Sequence, residues 1–114
     1  MLKHITVTPA EGIWVVRVGG AVIAESPRAL ELSEAGYPPV IYFPRDDVAM
    51  AFLDRTDHVT HCPHKGDAAY FSIVSKSKTY ANAVWSYETP AEDVADIAGH
   101  LAFAPTDGVT VERV

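Results

Sequence analysis

At 114 residues the chain has room for one hydrophobic core, so a single domain over 1–114 is expected. Its 48% hydrophobic and 21% charged residues lie far from the signature of disorder. Fifteen acidic against nine basic residues give a formal net charge of -6, a field that repels polyanions and excludes nucleic acid and anionic membrane as expected partners.

The punctuation along the chain is mostly that of β structure. Ile13 to Val18 is rich in β-branched and aromatic residues, Gly19-Gly20 follows, and Ala21 to Ala24 resumes the apolar run. This predicts a β-hairpin, because a two-residue turn of the primed type needs positive φ, which glycine supplies. Ala29 to Leu32 alternates, and the turn Glu34-Ala35-Gly36-Tyr37-Pro38-Pro39 precedes a strand at Val40 to Phe43. Pro44 ends that strand, since it has no amide to give to a ladder. Val48 to Leu53 is read as a short strand, and His58 to Cys62 as another that stops at Pro63. Ala69 to Val74 and Ala81 to Tyr87, joined by Ser75 to Lys78, predict a second hairpin.

One helix is predicted late in the chain. Thr89 reads as its N-cap, Pro90 as the first helical residue and Glu92 as the far side of a capping box. Val94, Ile97, Ala98 and Leu101 follow the spacing of one helical face, and Gly99 marks its end. Leu101 to Phe103 and Val109 to Val111 read as closing strands. The fold class is therefore mainly β, in antiparallel sheets, with one short helix in the C-terminal half.

Cys62 is the only cysteine and cannot form an internal disulfide, and Met1 to Ile5 lacks the apolar stretch of a secretory signal. A reducing cytoplasm is the expected location. No apolar run approaches the ~20 residues that a bilayer requires of a helix.

The segment Thr60 to Asp67 collects a thiol, two imidazoles, an ammonium and a carboxylate next to tight turns. Burying that mixture would leave polar groups to satisfy at roughly 1–3 kcal/mol each, so it is expected at solvent or a cleft. Only a thiolate is a good nucleophile, and Lys65 with His61 or His64 would favour that form of Cys62. The competing readings are a solvated loop and a small buried thiol. His58, His61, Cys62 and His64 offer metal donors, but strand alternation sends His61 away from His58 and Cys62. No metal and no cofactor are expected. Tyr42 and Phe43, Tyr70 and Phe71, and Trp85 and Tyr87 flank the segment. Alternation puts Trp85 and Tyr87 on one face of their strand, which could wall a small-molecule cleft with Arg45 or Lys65 holding an anionic group, although such rings are ordinarily core.

At these residues the chain resembles a bacterial family, the domain-of-unknown-function family four-two-seven, from about Val15 to Val111. The resemblance is carried by Tyr42 to Val48, Thr60 to Tyr70, Ala83 to Tyr87 and Leu101 to Phe103. It implies a compact β architecture similar to the Mss4-like or β-tent folds, in which two small antiparallel sheets lean together. Relatives with that fold often hold zinc through paired CxxC motifs, which this chain lacks, so their metal is not carried over. A nucleotidyltransferase-like label has been attached to the family, yet the Gly-Ser helix start and downstream acidic pair of such enzymes are missing here. The motif positions of the family map onto Arg45, His61, Cys62, Lys65, Gly66, Asp67, Tyr70 and Trp85. His64 stands where an aromatic residue is common.

Three functional expectations follow. One is a small-molecule enzyme with Cys62 or Lys65 as reactive group, His61 as proton carrier and Arg45 anchoring an anionic substrate. Another is a non-catalytic module that binds a small ligand or peptide through Arg45, Asp67, Tyr70 and Trp85. The last is a structural turn network. All but the last require the Pro44-Arg45 turn and the Cys62 turn to share one concavity.

Overall fold

Short alternating segments cannot bury an apolar face alone, and the computed structural model, which describes residues 4–114, pairs them into three sheets. Ile5–Pro9 (β1), Leu30–Glu34 (β4) and Val40–Tyr42 (β5) make the first sheet, with β4 in the middle. Trp14–Val18 (β2), Ala21–Ser26 (β3) and Val109–Arg113 (β10) make the second, with β2 in the middle. The third runs in order through Leu53–Cys62 (β6), Gly66–Val74 (β7), Thr79–Tyr87 (β8) and Ala102–Phe103 (β9). Every pairing is antiparallel. The chain is thus mainly β, as its punctuation predicts.

Both predicted hairpins form. Gly19 and Gly20 hold φ of 58° and 146° between β2 and β3. Between β7 and β8 there is no glycine, and Ser75 closes the turn instead: its Oγ donates to the Lys78 carbonyl at 2.8 Å and accepts from the Lys78 amide at 3.2 Å. A serine side chain that bonds local backbone in this way stands in for special φ angles.

Three segments differ from the sequence reading. β1 was not anticipated, although Ile5 and Val7 alternate with Thr6 and Thr8 and their side chains pack inward. Val48 to Leu53 is not a strand: Met50–Phe52 is a 3-10 turn, and the Ala49 amide donates to Ile23. The late helix is a 3-10 segment, Glu92–Ile97, that begins after Ala91, has no side-chain cap and kinks at Val94. The Ala91 amide is already given to the Lys65 carbonyl at 2.9 Å, which holds the chain extended past Thr89. At three residues per turn Val94 and Ile97 share the buried side, while Ala98 is exposed.

The third sheet is covered on both faces. Phe71, Ile73 and Val84 point into one apolar cluster with Val16, Ile23 and Phe43, fed mainly by the second sheet. Ala68, Tyr70, Trp85 and Tyr87 point the other way, toward Leu32 and Tyr42 of the first sheet and Ile97. Phe43 and Leu101 exchange two backbone hydrogen bonds, 2.8 and 2.9 Å, and so clamp the end of β5 beside β9. Among the described residues no helix is long and apolar enough to cross a membrane.

Candidate functional site

Between the first and third sheets lies an open cleft of about 610 Å³. Tyr70, Trp85 and Tyr87 reach it from β7 and β8, Tyr42 and Val40 from β5, and Pro38, Pro39 and Pro105 form apolar edges. Cys62 and Lys65 stand at its polar end beside Glu34.

The β6–β7 turn places the thiol. Pro63 stops the ladder, the Lys65 amide donates to the Cys62 carbonyl at 3.2 Å, and Gly66 takes a φ of 112° that side-chain-bearing residues avoid. Half-burial of Cys62 pushes its thiol up, but the nearby amides of His64 and Lys65, joined by the Lys65 ammonium, outweigh that and bring it below the ordinary value. The arrangement is a small anion nest closed by a cation.

Lys65 is itself fixed. Its Nζ donates to Glu34 Oε1 at 2.9 Å, with side chains only 12% and 15% exposed. Burial alone would lower the ammonium, yet the bond to Glu34, helped by the nearby Cys62 thiol, wins and raises it above its ordinary value. At neutral pH this keeps Lys65 in its ammonium form.

Above this row the aromatics are held by hydrogen bonds. Trp85 Nε1 donates to Tyr42 Oη at 3.2 Å, and Tyr70 Oη shares a hydrogen bond with Thr60 Oγ1 at 3.1 Å. Burial pushes the Tyr42 hydroxyl up to about 12, so it stays protonated.

Of the residues singled out from the sequence, Cys62, Lys65, Tyr70 and Trp85 meet in this cleft. His61 and Asp67 do not line it. They pair with each other across the β6–β7 ladder, His61 Nδ1 to Asp67 Oδ1 at 2.7 Å, with both side chains 70% exposed. Neighbours on a strand face opposite ways, so the alternation that turns Cys62 inward turns His61 out. Arg45 lines a different, smaller cavity with Gly99 and His100. Among the described residues the two turns line different cavities, so any site at Cys62 stands without the Arg45 turn that it was expected to need: Arg45 is spent on the Gly99 carbonyl, 3.2 Å, and on Glu88, 3.2 Å. Among the described residues no three of histidine, cysteine, aspartate and glutamate gather as a metal-ligating group. Glu34 went unseen as a site residue, since its own surroundings read as a turn and its partner lies 31 positions away.

Glu88 also binds Arg55, at 2.6 Å. Hydrogen bonds from Arg55 chiefly, with Arg45 behind them, hold its carboxyl below the ordinary 4.5. A depressed acid adds stability above its unfolded pKa and loses it as pH falls through the folded one. Glu88→Gln should thus cost about 0.5–1 kcal/mol at neutral pH, an amount limited by solvent screening, and cost nothing in strong acid. Urea denaturation of both proteins across that range checks this, and a pH-independent difference contradicts it.

Comparison with known proteins adds one finding. The family model described as Domain of unknown function (DUF427) matches residues 6–114, a span that contains every residue of the cleft. No curated protein matches the chain.

Proposed function

Because the chain belongs to the DUF427 family, we propose that the activity of this member is thiol chemistry on a small molecule, with Cys62 as nucleophile. The observation that carries the reading is the position of Cys62: it lines the head of an aromatic cleft together with the carboxylate-anchored ammonium of Lys65. Groups that favour a thiolate make it available for attack at neutral pH.

In this reading Lys65 is the thiolate's counter-ion and Glu34 positions Lys65. Tyr42, itself buried, accepts a hydrogen bond from the Trp85 indole N–H and so holds that ring as a wall of the cleft. Lys65 is neutralised by Glu34, and the rest of the cleft is mostly apolar, which supports an uncharged substrate over a nucleotide or other polyanion. The thiol must stay reduced, which fits a cytoplasmic setting. This reading gives no role to His61 or Arg45, whose side chains lie outside the cleft.

Incubation with an activated aryl ester tests the proposal. The thiolate adds to the carbonyl, the C–S bond forms as the C–O bond to the aryloxide breaks, and the aryloxide leaves. Intact mass should show one acyl group per wild-type chain, mapped to Cys62, and none on Cys62→Ala. Equal acylation of the two proteins would refute the assignment and favour a cleft that only binds.

A further inference from the structure

A second cavity, of about 330 Å³, abuts the first. The two share Pro39, Val40, Trp85 and Pro105 as walls. What the second adds is Trp14 from β2, Val111 from β10, and Ile41 and Phe103, all apolar or aromatic. Glu31 is the one charged side chain among the described residues that line it. Trp85 lines both cavities and is held in place by its bond to Tyr42, so one ring borders the two.

We infer that the two cavities form one trough for a bipartite substrate: an electrophilic head at Cys62 and an apolar or aromatic tail, without a negative end, in the Trp14 chamber. The inference rests on Cys62 being the nucleophile of the first cavity. Its physical basis is adjacency and chemistry. The second chamber shares four wall residues with the cleft that holds Cys62, removes apolar surface from water, and carries a carboxylate that repels an anionic tail and favours a neutral or cationic one.

Alkylation rates of the whole protein test it, using iodoacetamide and its N-alkyl and N-benzyl derivatives. In each case the thiolate attacks the methylene carbon, the C–S bond forms as C–I breaks, and iodide leaves. Rates are divided by those of a free thiol with the same reagent. Each tail methylene that enters the chamber should raise the ratio roughly fourfold, and a benzyl tail should raise it at least about tenfold. A tail ending in carboxylate should lose that gain, and one ending in an amine should keep it. Val111→Phe, which narrows the chamber, should bring the benzyl-to-parent ratio toward that of the free thiol. Both tryptophans of the chain line the trough, so tail entry should also perturb wild-type fluorescence without any substitution.

Tail-independent rates together with a depressed thiol midpoint would overturn the trough and spare the role of Cys62. An ordinary midpoint with iodoacetamide would remove that role, and the substrate class with it.

Discussion

Phe43→Ala is expected to destabilise the protein by about 3–5 kcal/mol, a large share of the 5–15 kcal/mol typical of a domain. The ring is fully buried and meets Phe103 edge to face, centroids 5.7 Å apart. Its backbone holds β5 to Leu101, so no simple shift of the strand can close the cavity left behind. A urea midpoint that falls with an unchanged slope would show the loss directly. Phe43 packs in the cluster on the side of the third sheet away from the cleft, while its neighbour Tyr42 faces the cleft. The surviving folded molecules should therefore keep the thiol reactivity of the wild type. A loss below about 1 kcal/mol would mean that the two sheets are not joined through this ring.

Lys65→Met should act on both stability and reactivity. It leaves the Glu34 carboxylate, 15% exposed, without its ammonium, at a cost of about 1–3 kcal/mol. It also removes the cation from the thiolate nest, so the Cys62 midpoint should move up and its alkylation at neutral pH should slow. The sign on stability can be followed too. A thiol depressed in the folded state stabilises the fold above its unfolded pKa, and that contribution disappears as pH falls through the folded value. The substitution should thus cost more at alkaline than at mildly acidic pH. Equal alkylation in both proteins would show that the amides of His64 and Lys65 act alone.

Local chemistry made much of this legible. Gly19-Gly20 marks a hairpin because of φ, Pro44 and Pro63 end strands because they lack an amide, and Gly66 marks the turn that holds Cys62. Alternation alone separates Cys62 from His61. The pairings that decide the site are of another kind: Lys65 with Glu34 and Arg45 with Glu88 are 31 and 43 positions apart, and charge counts do not say which acid a cation meets. The same holds for the second chamber, whose Trp14 and Val111 come from opposite ends of the chain and become neighbours only through the β2–β10 pairing. The late helix shows tertiary contact overriding a local signal. The Thr89–Glu92 capping pattern is real, yet the Ala91 amide is more useful as a tie to the Cys62 turn.

The account turns on the ionisation of one sulfur. Cys62 is the sole cysteine, so the ultraviolet absorbance of its thiolate, taken as wild type minus Cys62→Ser across pH, reports that group alone. The predicted titration lies below the ordinary thiol range and climbs when Lys65 becomes methionine. A curve at or above the ordinary range, indifferent to Lys65, would contradict it.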